Sequence, residues 1–336
     1  MKKRILIGIT SIIAVVVIVG GFFGFRREKP AKPEPEKITL GISSSSLLSS
    51  LIYIAARKDY FQNEGIDIEI KKYATGKSAL ADVLKGKIDI CTVADTPIVS
   101  NSFKRNDFAL FATIVDSAKH AKVLARKDRG INNPQDLIGK RLATTLGTSA
   151  HFYMFTFFIM NSLDLKDVKI INMKPKQMAE AIISGDIDAA FTWEPNILNA
   201  GKILGDKAIA MSGNVEYLAT FNLVSMKAFI KDNPEILKKI LKALIKAEEF
   251  AEDNPEESVN IVASYMGIDR ENIKKLWNDY KYRVSLPQFL LITLEDEARW
   301  YIESGQTDKT EVPNYLNYIY IDALVEVKPD AVTIIR

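Results

Sequence analysis

Cysteine and histidine are nearly absent: Cys91 stands alone, and His120 and His151 are the two histidines among 336 residues. A single thiol excludes an internal disulfide. Two isolated imidazoles without paired-cysteine spacing leave no metal-ligand pattern, and HExxH, GxSxG and GxxxxGK[ST] are all missing. No metal, no cofactor and no catalytic residue is expected. Cys91 sits in Ile90-Cys91-Thr92-Val93, which reads as a buried strand with an inert thiol. A basic stripe is lacking too. The formal charge of +3 comes from residues 1–37, with 8 Lys/Arg against 3 Asp/Glu; the rest of the chain carries 37 basic and 39 acidic side chains, net −2. A nucleic-acid footprint is thereby excluded.

One long uncharged run exists, residues 5–25, preceded by Lys2-Lys3-Arg4. As a helix it would rise about 32 Å, enough to cross a bilayer core. It lacks small residues at the −3 and −1 positions of a cut site, and no lipoprotein cysteine follows it. An uncleaved anchor is the first reading and a cleaved signal the alternative. The early basic cluster favours an N-terminus in the cytoplasm and a body outside, at the cell membrane or in the periplasm. Residues 26–37 are charged and carry Pro30, Pro33 and Pro35, an extended spacer.

What is present is one phrase written twice. Gly86-Lys87-Ile88-Asp89-Ile90 with Asp95-Thr96-Pro97 matches Gly185-Asp186-Ile187-Asp188-Ala189 with Trp193-Glu194-Pro195, each after an amphipathic helical segment. The pattern predicts helix, glycine stop, short Ile-Asp strand and Pro-started helix in two lobes built alike, with a cleft between them. Strands at residues 37–42 and 140–145 run into polar loops followed by helices at 47–56 and 150–160, with strands at 66–70 and 168–171 after them. Such alternation predicts parallel α/β sheets. The strand-like stretches at 120–125 and 217–224 are assigned to a two-strand hinge. The expected division is lobe 1 at 38–122, lobe 2 at 123–218, and a return to lobe 1 at 219–336. That return is read as helices at 235–251, 255–266, 271–280, 294–303 and 315–324 that brace lobe 1.

Helix starts leave N–H groups unpaired and carry a partial positive charge, so several converging on one cleft can hold an anion. The candidates are residues 44–46, 75–78, 95–96, 148–149 and Glu194. Hydroxyls of Ser45, Ser46, Thr96, Thr148 and Ser149 can cap their own helices or donate to a ligand. Trp193, at a turn, reads as a cleft wall or as core packing. Glu194 could bond a hydroxyl, cap the following helix or pair with an amine. His151 reads as structural or as a ligand contact.

The run Arg57-Lys58-Asp59-Tyr60-Phe61-Gln62-Asn63-Glu64-Gly65-Ile66-Asp67-Ile68, both Gly-x-Ile-Asp phrases with their turns, and Asp136-Leu137-Ile138-Gly139-Lys140-Arg141 resemble the nitrate/sulfonate/taurine class of ABC-transporter substrate-binding proteins, NMT1/THI5-like, from about Ile38 onward. The resemblance implies a two-lobed periplasmic-binding-protein fold of the two-crossover type. It also implies a small anionic or zwitterionic solute trapped on closure, and docking on a permease with its ATPase. Its binding positions fall here on Ser45, Ser46, Asp95, Thr96, Thr148, Ser149, Trp193 and Glu194, with Asn222 in the returning strand. A monomer that is not an enzyme is expected. The competing readings are a binder of a thiamine-related aminopyrimidine, an enzyme on the same fold, and a membrane-tethered sensor ectodomain.

Overall fold

The computed structural model describes residues 34–44, 46–212, 215 and 217–335. The apolar run at 5–25 and the first part of the spacer, 26–33, lie outside them. Among the described residues no helix is long and apolar enough to cross a membrane. In chain order the strands are β1 (Glu36–Ser43), β2 (Ile66–Tyr73), β3 (Ile90–Ala94), β4 (Phe108–Ser117), β5 (Ala121–Arg126), β6 (Arg141–Thr144), β7 (Lys169–Asn172), β8 (Ala189–Trp193), β9 (Ala208–Met211), β10 (Ala219–Met226) and β11 (Lys281–Ser285). They form two sheets, ordered β11-β4-β10-β3-β1-β2 and β7-β6-β8-β5-β9. The helices used below are α1 (Ser50–Arg57), α2 (Gly76–Val83), α3 (Asp95–Ser102), α4 (Ser149–Met160), α5 (Pro175–Ser184), α6 (Asn196–Leu204), α7 (Pro234–Asp253) and, near the C-terminus, α8 (Gln288–Glu303).

The repeated Ile-Asp phrase has the same physical job in both sheets. Asp89 donates its N–H to Thr39 O at 3.2 Å, and its Oδ2 accepts from Thr39 N–H and Oγ1 at 2.7 Å each. Asp188 donates to Arg141 O at 2.8 Å, and its Oδ2 accepts from Arg141 N–H at 2.9 Å. Each carboxylate satisfies a backbone donor at the start of a ladder and fixes the register, Leu40 opposite Ile90 in one sheet and Leu142 opposite Ala189 in the other. The strands therefore begin just after each aspartate rather than including it. The α2 and α5 segments preceding them bury Leu80 and Val83, and Met178 and Ile182, as the amphipathic spacing predicts.

The sheets are mixed, not parallel throughout as expected. β1 is parallel to β2 and β3, and β6 to β7 and β8, whereas β10 runs against β3 and β4, and β5 against β8 and β9. β5 and β10 are the strands that follow a passage from one sheet to the other. They do not arise from a right-handed βαβ crossover, so the parallel rule does not govern them. They also lie in different sheets, so they are not a paired two-strand hinge; the chain passes between the sheets after β4 and again after β9. β4 escaped the sequence pattern because all ten of its residues are buried, leaving no alternation to read.

The C-terminal region packs mainly on the first sheet's helices, α7 burying Ile236, Leu237, Ile240, Leu241 and Leu244 against α1 and its neighbours. It also touches the second half of the molecule. Trp300 of α8 meets His151, Phe152 and Phe155 of α4 with ring centroids 5.1, 5.2 and 5.7 Å away. The helix expected at 315–324 is broken into a 3₁₀ turn, Tyr315–Tyr318, and a separate helix, Asp322–Val327.

Candidate functional site

Parallel strands joined by helices place their strand-to-helix turns at one sheet edge, the carboxyl ends of the strands. In the first sheet β1 ends at Ser43, and Ser46 accepts the Leu48 N–H at 3.4 Å to begin the 3₁₀ turn Leu47–Ser49. After β2, Thr75 caps α2, its Oγ1 accepting the Ser78 N–H at 3.2 Å. Gly76 is required there. A Cβ would stand 2.9 Å from the Thr92 carbonyl oxygen and 3.0 Å from Val93 Cα, so only glycine lets the first turn of α2 lie against β3. In the second sheet the loop after β6 reaches Thr148, whose Oγ1 donates to Thr145 O at 2.7 Å, and Ser149 opens α4. Trp193 is the last residue of β8 rather than part of a turn.

These turns line one pocket whose enclosed free volume is about 30 Å³ as the lobes stand, with about 410 Å³ when all space between atoms and open solvent at the mouth is counted. Hydroxyls come from Ser43, Ser46, Thr75, Thr92, Thr148 and Ser149, and apolar surface from Leu48, Val93, Ala94, Pro97, Trp193 and Phe221. Lys77, the second residue of α2, adds an ammonium, and the described lining contains no carboxylate. His120 completes the wall. Its ring lies 13° from parallel to the Trp193 indole with centroids 6.0 Å apart, edge-on to Phe221 at 4.9 Å, with Nδ1 3.3 Å from the Tyr280 hydroxyl. Burial, and then the charge of Lys122, push its pKa down to about 3, so the imidazole is neutral at neutral pH. Among the described residues no group of three or more His, Cys, Asp or Glu could hold a metal ion.

Of the residues singled out by sequence, Ser46, Thr148, Ser149 and Trp193 meet in this pocket. Ser45 lies outside the described residues. The other five are absent from the lining, and their polar atoms are committed elsewhere. Asp95 is fully buried; its Oδ1 accepts from the Tyr217 hydroxyl at 2.6 Å and the Thr96 N–H at 2.9 Å, and its Oδ2 from the Thr220 N–H at 2.9 Å. It ties the returning passage to the start of α3. Thr96 donates to Glu297 Oε1 at 3.0 Å, an oxygen that also accepts from Tyr217 at 3.1 Å. Glu194 splits its carboxylate between the Lys122 ammonium at 2.9 Å and the Leu198 N–H at 3.0 Å, which makes it the cap of α6. Asn222 lies inside β10, accepting from the Thr113 hydroxyl at 2.7 Å and donating to Thr220 Oγ1 at 3.1 Å.

His151 is structural in its contacts, accepting the Gly147 N–H on Nδ1 at 3.3 Å and meeting Trp300 edge-on. Burial, then the charge of Lys77, lower its pKa from 6.5 to about 4. The unfolded chain therefore takes up this proton first, and between these two values stability falls as pH falls. His151→Phe is expected to remove about 1.4 kcal/mol of that loss per pH unit. Urea unfolding of parent and variant across the window reads the two slopes, and equal slopes would exclude the effect.

Sequence reasoning named the helix start at 75–78 for its N–H groups but not the Lys77 ammonium, and passed over His120, Thr92 and Phe221 as pocket residues. For Lys77 a signal existed: a lysine in the first turn opposes the helix dipole and gains nothing locally from being there.

The family model described as NMT1/THI5 like matches residues 49–258. The taurine-binding periplasmic protein of Escherichia coli (strain K12) is 23% identical over 267 residues, 75% of this chain and 82% of its own. The alkanesulfonate-binding protein SsuA from Xanthomonas axonopodis pv. citri, bound to MOPS, superposes with a TM-score of 0.73 at 16% identity, over 86% of this chain and 100% of that one. The desulfurization enzyme DSZB also superposes, with a TM-score of 0.63 at 13% identity over 88% of this chain and 99% of its own. Likeness at that level is of fold, the two-lobed α/β architecture of periplasmic binding proteins, and one fold hosts several activities.

Proposed function

Because the chain belongs to the NMT1/THI5-like family, we propose that it is the extracytoplasmic solute-binding component of an ABC importer, taking a small anion between its lobes and handing it to a permease driven by an ATPase. The observation that carries this reading is the pocket itself, where the starts of α2 and α4 converge from opposite sheets with hydroxyls, one ammonium and no described carboxylate. That set compensates one negative charge, while Leu48, Trp193 and Phe221 offer an apolar wall to an organic tail. In this reading residues 38–122 with 219–336 form one lobe and 123–218 the other. Opening about the two passages between the sheets separates Ser46 and Thr75 from Thr148 and Trp193, so the full contact set exists only when the lobes are closed and the solute drives closure. The apolar run at 5–25 would carry the body to the outer face of the membrane, as an anchor or a cleaved signal.

The solute best matched is a sulfonate-type monoanion. Taurine adds an ammonium that would lose water without meeting a carboxylate, a cost of about 1–3 kcal/mol. Ethanesulfonate is therefore expected to bind about tenfold or more tightly than taurine in titration calorimetry. Nitrate, bicarbonate and an aminopyrimidine complete the panel. An aminopyrimidine that binds where every anion fails would replace this reading, and turnover of a panel member by the purified protein would revive the enzymatic one.

A further inference from the structure

We propose that Lys77 selects solutes by charge and closes the mouth of the pocket, one ammonium joining the bound anion to the opposite lobe; the first part rests on the anion-binding reading above, the second does not. Lys77 is the one residue of fixed charge in the described lining. It stands on α2, on the first-sheet side, yet its Nζ donates to the carbonyl oxygen of Leu146 at 3.0 Å, on the second-sheet side. The loop that carries this acceptor comes close. Gly147 has φ +70°, and a Cβ there would lie 2.7 Å from Lys77 Nζ. Any larger residue would force the ammonium to shift and would strain the backbone at this φ.

No carboxylate pairs with Lys77 among the described residues. Desolvation, and then Lys104, lower its proton affinity, as befits an ammonium partly withdrawn from water with a like charge near it. An ammonium has three N–H donors, and the bond to Leu146 uses one. The others can reach an anion seated against the starts of α2 and α4. The position has a built-in control: Lys176 occupies the matching place in the second copy of the repeat, is exposed, and does not line the pocket.

Two measurements test the two roles separately. In calorimetry, Lys77→Met is expected to bind ethanesulfonate about 10- to 100-fold more weakly than the parent. Its affinity for ethyl methyl sulfone, a neutral compound of similar size, should fall only by what the contact to Leu146 adds to closure, less than for the anion, and Lys176→Met should bind both like the parent. Equal anion affinity in parent and Lys77→Met, or an equal loss for the neutral sulfone, would overturn the charge-selecting role, as would a parent that binds no anion at all. For the mouth, spin labels on exposed positions of the two lobes report their separation without added solute. A longer or broader distance distribution is expected for both Lys77→Met and Gly147→Ala. Distributions that match the parent in both variants would overturn the closing role, whichever solute the protein carries.

Discussion

Asp95→Ala is expected to lower the unfolding free energy by about 3–5 kcal/mol, the range seen when one partner of a buried charged network is removed. Three donors converge on this carboxylate, from Tyr217, Thr96 and Thr220; without it the Thr96 and Thr220 N–H groups would lose this acceptor in the protein interior, and Tyr217 would keep only its longer bond to Glu297. Glu297→Gln is expected to behave in the opposite way. Burial, and then the Asp95 charge, hold the Glu297 carboxyl well above its ordinary range, while hydrogen bonds oppose the burial effect on Asp95. Both carboxyls are pushed up by burial, Glu297 well above its ordinary range, so Glu297 is taken as the group that holds a proton. Its Oε1 accepts from Thr96 and Tyr217, while its Oε2 is buried without a hydrogen-bond partner.

A raised carboxyl pKa means that the folded chain binds the proton more tightly than the unfolded one. Stability from this group is then complete at low pH and falls as pH rises above about 4.5, by about 1.4 kcal/mol per unit until the folded group itself ionises. Glutamine imitates the protonated acid and has no such slope. The variant should match or exceed the parent in stability at neutral pH, with the gap widening as pH rises. Chemical denaturation at several pH values checks both claims. A tolerated Asp95→Ala, or a strongly destabilised Glu297→Gln, would mean that the proton and the charge are placed the other way round.

Trp193→Ala is expected to weaken solute binding by about 100-fold, because buried aromatic anchors at the centre of a binding surface commonly contribute 2–4 kcal/mol. Trp193 supplies the broad wall of the pocket and holds the His120 ring in place across a nearly parallel contact. Removing it enlarges the cavity and frees the imidazole. Trp193→Phe should recover much of the affinity, since a smaller ring keeps the apolar wall. Calorimetry with ethanesulfonate measures all three proteins. An alanine variant that binds as tightly as the parent would move the solute away from this wall.

The hydroxyls divide into two kinds that look alike in sequence. Thr148 and Thr96 both stand at helix starts after strands, and Thr96→Ala with Thr148→Ala would look like one experiment on one site. In the fold Thr148 lines the pocket, whereas Thr96 turns inward to Glu297, 201 positions away along the chain. Thr96→Ala therefore acts on stability, through the loss of one of the two donors to the buried Glu297 Oε1, before it acts on binding. Glu194 was one of several open readings for the same reason: a carboxylate next to a helix start can cap or bind, and Lys122 together with the Leu198 N–H decides for capping.

The sequence by itself determined the doubled plan: amphipathic helix, glycine stop, short Ile-Asp strand and polar turn, twice. Those features rest on interactions within a few residues and on hydrophobic periodicity, both written locally. Only the tertiary structure decided which side chains face the cleft, that the strands after each passage run against their neighbours, and that Asp95 and Asn222 serve the frame. A side chain's partner at that level is whatever distant group arrives within 3 Å of it. That is fixed by how the sheets pack, and no local pattern encodes it.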